Sequence, residues 1–108
     1  MPFLTENPRF MEPNLSVNLH HNAKFCALAA DMGVPAASLA IAWVLHRDES
    51  VIAIPGTRHI AHLQELATGG GLDLSGEDIA RIETVLPVGW AHGDRYSANQ
   101  WVGPERYS

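Results

Sequence analysis

The sequence lacks several features that mark out whole classes of protein. It has one cysteine, Cys26, so no disulfide can form within the chain, which favours a reducing, cytoplasmic location. Its seven lysine and arginine residues are scattered, and the net charge is −5, so we expect no nucleic-acid partner. No apolar run approaches the roughly 20 residues that a membrane-spanning helix needs, so we expect no membrane association.

The 108 residues are enough for one domain with a modest core, and a hydrophobic content of 46% is typical of a folded chain. Residues 1–21 contain three prolines and little periodicity, which predicts an irregular arm. Residues 22–86 predict the order helix, helix, strand, helix, helix. Residues 87–108 are rich in glycine, tryptophan and tyrosine, and we expect an irregular tail.

The first two predicted helices are bounded by capping and breaking residues. Asn22 is placed as the N-cap of a helix over residues 23–32, and Gly33 ends it. Pro35 suits the first turn of a second helix, over residues 36–46. Its apolar stripe includes Trp43, which we expect to pack in the core.

The last two predicted helices lie on either side of a glycine run. The third starts near Thr57 or Arg58 and ends at about residue 66, because the glycines at 69–71 each cost about 1 kcal/mol in a helix interior. The fourth covers residues 76–86, with Ser75 as its N-cap and Pro87 at its end.

Residues 51–54, Val-Ile-Ala-Ile, predict one short buried strand. No convincing second strand exists to satisfy its backbone hydrogen-bonding groups, and unpaired buried groups are costly. The strand must therefore pair across a homodimer or with another chain, or the sequence is a piece of something larger.

The strand is followed at once by a turn and a helix start. Pro55 and Gly56 break the strand, and the backbone N–H groups of the helix start then point outward beside Arg58. Such an element predicts an anion or phosphate site. The alternative is that Thr57 only caps the helix and Arg58 is only solvated.

Three stretches carry a resemblance to a known family. They are Leu-Ala-Ile-Ala-Trp-Val-Leu at 39–45, Ile-Pro-Gly-Thr-Arg at 54–58 and Leu-Ser-Gly-Glu-Asp at 74–78. Together they are similar to the C-terminal portion of the aldo-keto reductases. The resemblance implies the last helix–strand–helix part of a (β/α)8 TIM barrel. The chain is too short for a complete barrel, so we expect a predominantly α fold with one short β-strand.

The resemblance also implies a cofactor, NADP(H), and part of its site. By matching positions, Gly56, Thr57 and Arg58 would approach the adenosine 2′-phosphate. His62 takes the place of a polar residue near that phosphate, and Glu65 that of a glutamate which contacts the adenosine. The family usually has an asparagine next, where this chain has Leu66.

The family's catalytic residues are a tyrosine, a lysine, an aspartate and a histidine, which assist hydride transfer to a carbonyl group. They lie in earlier barrel strands, and no matching motif occurs here; Lys24, Tyr96 and Tyr107 are not a substitute set. The chain alone is therefore predicted to be inactive. Two alternatives remain open: a helical assembly module that pairs through residues 51–54 with itself or with a complementing barrel chain, and a weak nucleotide- or phosphate-binding module without turnover.

The remaining candidate residues favour structural interpretations. The six histidines have no recognised metal-ligand spacing, so we expect surface histidines and no metal site. Cys26 lies among apolar residues and is expected to be a small buried hydrophobe. Trp90 and Trp101 are expected to anchor the tail on the core, rather than to stack on a ligand.

Overall fold

The computed structural model describes residues 5–97, and within that range the regular structure is helical. A short 3₁₀ turn over Pro8–Phe10 precedes the first long helix. The α-helices are α1 (Asn14–Asp31), α2 (Ala36–His46), α3 (Ile60–Gly70) and α4 (Gly76–Val85). The predominantly α character is as predicted.

The helix caps predicted at Gly33 and Ser75 are confirmed. Gly33 follows α1 with φ of 74°, and the N–H groups of Gly33 and Val34 donate to carbonyls of the last turn, the pattern of a Schellman cap. Ser75 caps α4 by accepting from the N–H of Asp78, whose carboxylate accepts in turn from the N–H of Ser75. This capping box satisfies two backbone donors that the helix itself cannot bond.

The irregular arm predicted over residues 1–21 is wrong for residues 14–21, because α1 begins at Asn14 and not after Asn22; residues 1–4 lie outside the described residues. Two contacts explain the longer helix. The carboxylate of Glu12 accepts from the backbone N–H and the hydroxyl of Ser16, at 3.3 and 2.6 Å, in the first turn. One turn further on, Asn18 is bonded to the tail. An acidic group at a helix N-terminus is also favoured by the helix dipole.

The core lies between α1, α2 and α4. It consists of Phe25, Leu28 and Ala29 from α1, Leu39 from α2 and Ile82 from α4. Trp43 packs against this cluster, as expected. Two exposed ion pairs, Arg47–Glu83 and Arg81–Asp31, span the same helices at 3.2 and 2.7 Å. Because exposed pairs contribute little, burial of the apolar cluster holds these helices together.

Helix α3 packs on α2 through a glycine. Gly69 is buried, and a Cβ atom at this position would lie 2.6 Å from the carbonyl oxygen of Ser38 and 2.9 Å from the Cβ of Ile41. The hydroxyl of Ser38 donates to the carbonyl oxygen of Glu65 at 2.6 Å. The predicted end of this helix at residue 66 is therefore wrong, because close packing of two backbones outweighs the low helix propensity of Gly69 and Gly70.

The predicted strand at 51–54 is not seen among residues 5–97. Val51 and Ala53 are half-buried, whereas the side chains of Ile52 and Ile54 are 85% and 92% exposed. A strand requires a hydrogen-bonded neighbour, and the described part of the chain supplies none for this segment. The alternation of inward and outward side chains that a strand has is nevertheless present.

The tail is attached to the start of the chain by a set of side-chain to backbone bonds, which we call the polar clamp. Asn7 donates to the carbonyl of Arg95 at 2.6 Å, and Arg9 donates to that of Gly93 at 3.2 Å. Asn18 both donates to the carbonyl of His92 and accepts from its N–H, at 2.9 and 2.7 Å. The predicted irregular tail is thus held in place over residues 92–95.

An aromatic contact accompanies the polar clamp. The ring of Trp90 lies 6.0 Å from that of His21, which is stacked on His92 at the same distance. Trp90 also lines a half-open apolar cavity of about 290 Å³ between α1, α2 and α4. Trp90 thus packs on the body of the chain, whereas Trp101, the other predicted anchor, lies outside the described residues.

We also compared the helices with the length and hydropathy that a membrane span requires. No single helix within residues 5–97 meets both requirements. Helices α1 and α2 meet them only when taken together, and they are bent by 93° at the break between them.

Candidate phosphate site before helix α3

The segment that carries the predicted site residues lies on the surface, directly before α3. Gly56, Thr57 and Arg58 are exposed, and no atom lies within 4 Å of where a Cβ on Gly56 would be. Thr57 is not the N-cap, so that interpretation is wrong: α3 begins at Ile60 and His59 occupies the cap position. The Thr57 hydroxyl instead donates to the carbonyl of His59 at 3.3 Å and accepts from its N–H at 3.4 Å. Thr57 therefore shapes the turn that leads into the helix.

The N-terminus of α3 is uncapped by any side chain. The backbone N–H groups of its first turn have no partner within the helix, and the helix dipole adds partial positive charge at this end. No acidic residue occupies the first turn. An anion that approached this end would therefore meet free donors and no carboxylate of the first turn.

Cationic and titratable side chains surround this helix end. Arg58 is exposed and forms no ion pair within residues 5–97. The rings of His59 and His62 meet edge to face, with centroids 5.0 Å apart. The phosphate site predicted from the sequence does not include His59, although its place directly after Arg58 is the signal that could have identified it.

Glu65 and Leu66 are less exposed than the turn before α3. Glu65 is half-buried, and its backbone carbonyl is the group that Ser38 binds. Within the described contacts no hydrogen bond or ion pair joins His62 to Glu65. Leu66 is half-buried and lines a shallow apolar groove with Ile41 and Leu45 of α2. The side chain of Leu66 therefore contributes to helix packing. The asparagine that is usual in the family would instead offer an amide for hydrogen bonding.

The other candidate residues are dispersed over the described part of the chain. Cys26 is exposed on α1, so its expected burial is wrong, because the apolar face of this helix runs through Phe25, Leu28 and Ala29. Lys24 is exposed on the same helix. Tyr96 lies in the tail beside Arg95, whose guanidinium is 5.5 Å from the ring centroid, and Tyr107 is outside the described residues. No group of histidine, cysteine or acidic residues within 5–97 is placed to hold a metal ion.

Comparisons with known proteins identify the family. The chain is 36% identical over 93 residues to "Probable aldo-keto reductase 1" of Glycine max, which covers 86% of this chain and 27% of that protein. It is 33% identical over 85 residues to "Norsolorinic acid reductase stcV" of Emericella nidulans, which covers 79% of this chain and 22% of that protein. No solved structure matches significantly.

The chain thus spans about a quarter of the length of these curated relatives. A model of the Aldo/keto reductase family matches residues 2–87, which include the turn at 55–59 and all four helices. The match covers most of the sequence and agrees with the resemblance seen in its motifs. This chain belongs to the aldo-keto reductase family.

Proposed function

We propose that this chain forms the C-terminal part of an NADP(H)-dependent aldo-keto reductase barrel. In that barrel it supplies part of the site for the adenosine 2′-phosphate. The observation that carries the proposal is Arg58, an exposed guanidinium without an ion pair in the described structure, directly before an uncapped helix N-terminus. Family membership makes a phosphate of the cofactor the anion that suits this place.

Each proposed site residue has a physical role. Gly56 has open space where a Cβ would lie, so a phosphate can approach the backbone closely. Arg58 offers a planar fork of donors suited to two phosphate oxygens. Thr57 shapes the turn through its two contacts with His59. His62, one turn into α3, adds a ring nitrogen on the same side as His59.

Glu65 is proposed to accept hydrogen bonds from the adenosine. Its backbone is fixed by Ser38, which lowers the freedom of the residue before any ligand binds. Leu66 provides no donor or acceptor side chain, so we expect adenine to be recognised less strongly than in relatives with an asparagine there. The 2′-phosphate then accounts for a larger share of the cofactor affinity.

When bound, NADPH supplies the hydride for carbonyl reduction. The proton donor and the pockets for the nicotinamide and the substrate would come from parts of the barrel outside this sequence. We therefore propose that the chain alone has no turnover. Carbonyl-dependent oxidation of NADPH by the purified chain would contradict this.

Calorimetric titration of the chain with NADPH and with NADH tests the cofactor proposal. We expect saturable NADPH binding that is at least tenfold tighter than NADH binding, because only NADPH carries the 2′-phosphate. The variant Arg58→Ala removes a charge-assisted contact and should weaken NADPH binding by about ten- to a hundredfold. The control Lys24→Ala removes an exposed cation of α1 and should leave the affinity unchanged. Equal affinity for the two cofactors would refute recognition of the 2′-phosphate.

A further inference from the structure

Two histidines lie beside Arg58, and their rings are in contact. His59 comes directly after Arg58 in the chain, and His62 is one turn into α3. Their ring centroids are 5.0 Å apart, and the ring planes are at 75° to each other. Both side chains are exposed, so a ligand at this end of the helix can reach them. The start of α3 thus carries two titratable rings in addition to one permanent cation.

The backbone of His59 is held by three hydrogen bonds. Its N–H donates to the Thr57 hydroxyl at 3.4 Å. Its carbonyl oxygen accepts from that hydroxyl at 3.3 Å and from the N–H of Leu63 at 3.0 Å. A group on a fixed backbone loses less freedom when a ligand binds. The backbone that carries this imidazole therefore need not rearrange when a phosphate arrives.

The charged groups near the two rings along the chain give them no anionic partner. Arg58 is adjacent, the first turn of α3 has no acidic residue, and no ion pair joins either ring to a carboxylate within residues 5–97. The next acid on α3 is Glu65, which is half-buried. Before the turn, the carboxylate of Asp48 is engaged with Ser50. A bound phosphate would supply the anion that these rings otherwise lack.

The neighbouring elements add no charge at this end of α3. Helix α2 meets α3 through Ser38 and Ile41, which are uncharged. Its titratable residue near α3, His46, lies beside Gly69, at the opposite end of the helix. Residues 51–55, which share an apolar groove with α3, are uncharged as well. The charge of a ligand at the start of α3 is therefore met by Arg58 and the two histidines.

We propose that His59 joins Arg58 and His62 in holding the 2′-phosphate, and that the two imidazoles share one added proton when NADPH binds. This inference rests on the proposed function, because it requires a phosphate at this helix end. Histidine changes its charge between about pH 5 and 8, and a phosphate dianion favours the protonated form, in which both ring nitrogens donate. Two imidazolium rings 5.0 Å apart would repel each other, so one proton is expected and not two.

The preference for NADPH over NADH should therefore depend on pH. The 2′-phosphate has a second pKa of about 6, so above about pH 7 it is already a dianion and its own titration contributes little. Binding that takes up a proton weakens as pH rises, and NADPH affinity should fall about fivefold between about pH 7 and 8.5. NADH lacks the phosphate, so its affinity should change by less than about twofold over the same range.

Calorimetric titration of the full chain in two buffers of different ionisation enthalpy counts the protons taken up. At about pH 7.5 we expect an average of about 0.5 proton per NADPH and none per NADH. His59→Gln and His62→Gln should each retain part of this uptake, because either ring can take the proton, and the double variant should take up none. His46→Gln, a change at an exposed histidine away from the site, is the control and should behave like the unmodified chain. Circular dichroism should show equal helix content, because all three side chains are exposed.

The possible outcomes separate this inference from the proposed function. Tighter binding of NADPH than of NADH with no proton uptake would overturn the role of the histidines and leave the 2′-phosphate site in place. Uptake that persists in the double variant would also overturn that role. Equal affinity for the two cofactors, or no binding of NADPH at any pH tested, would overturn the proposed function and this inference with it.

Discussion

Two regions of this chain differ in how many of their apolar side chains and polar groups find partners within the chain. The first is formed by α1, α2 and α4, where Leu39 is fully buried and the tail is held by the polar clamp. The second runs from residue 51 to the first turns of α3, where aliphatic side chains, backbone groups and the guanidinium of Arg58 all face outward. The first region has the features of a finished core, and the second has the features of a binding surface.

The difference indicates where sequence changes should matter. Substitutions in the first region should alter the free energy of unfolding, because they remove contacts within the chain. Substitutions in the second region should alter binding or association with little effect on unfolding, because their side chains touch little of the chain itself. The predictions below compare the two regions, beginning with the largest expected effect.

Leu39→Ala should lower the free energy of unfolding by about 2–5 kcal/mol, because it opens a cavity in the buried cluster. Urea denaturation followed by circular dichroism measures the effect. The matched control Leu19→Ala changes a leucine of α1 that is 57% exposed, and it should cost less than about 0.5 kcal/mol. Equal costs at the two leucines would mean that the apolar cluster is not the core.

Two glycines allow the same change to be made at a buried helix contact, between α3 and α2, and in the second region. Gly69→Ala should cost about 1–3 kcal/mol, because the new Cβ would lie too close to the backbone of α2. Gly56→Ala should change stability by less than about 1 kcal/mol, because its surroundings are open. Thermal unfolding of both variants compares them directly. A harmless Gly69→Ala would contradict the close packing of α2 and α3.

Ser75→Ala should cost about 0.5–2 kcal/mol, because it removes the side-chain half of the capping box. Ser75→Thr keeps the hydroxyl and should restore most of the loss. Urea denaturation of both variants checks this expectation, and a threonine variant as unstable as the alanine variant would contradict it.

Ser50→Ala should raise the pKa of Asp48 toward its ordinary value of 3.8, because the hydroxyl that stabilises the carboxylate is removed. A carboxyl whose folded-state pKa is lowered contributes stability above its unfolded pKa and loses it as pH falls through the folded value. The small stability difference between the two proteins should therefore be present above pH 3.8 and disappear in more acidic solution. NMR titration of the Asp48 carboxyl carbon measures the shift, and Ser16→Ala is the control at a distant serine.

Local signals predicted much of the fold. Ser75, Pro35 and Gly33 each mark a helix boundary through backbone chemistry that involves only a few neighbouring residues. The start of α1 has one local signal, the carboxylate of Glu12 that accepts from Ser16, but it also depends on Asn18 meeting a tail 74 residues away. The continuation of α3 through Gly69 depends likewise on the surface of α2, which no local propensity encodes.

In the candidate site, too, some features follow from the local sequence and others depend on contacts with distant residues. The exposure of Gly56 and Arg58 and the helix start behind them follow from Pro55 and the residues around it. The fixed backbone of Glu65 and the packing of Leu66 result from the contact of α3 with α2. The strand failed to appear because hydrogen bonding between strands requires a neighbour, which a local pattern cannot supply.

The polar clamp has a consequence for the order in which the parts of this chain can fold during synthesis. It joins Asn7 to Arg95, so one half of the attachment is synthesised 88 residues before the other. Until residues 92–95 have left the ribosome, the 3₁₀ turn and the first turns of α1 lack the partners that Arg9 and Asn18 bind. The helical core can form earlier because its contacts lie within residues 25–82. The contacts between residues 7–18 and residues 92–95 are therefore the last part of the described structure to be secured.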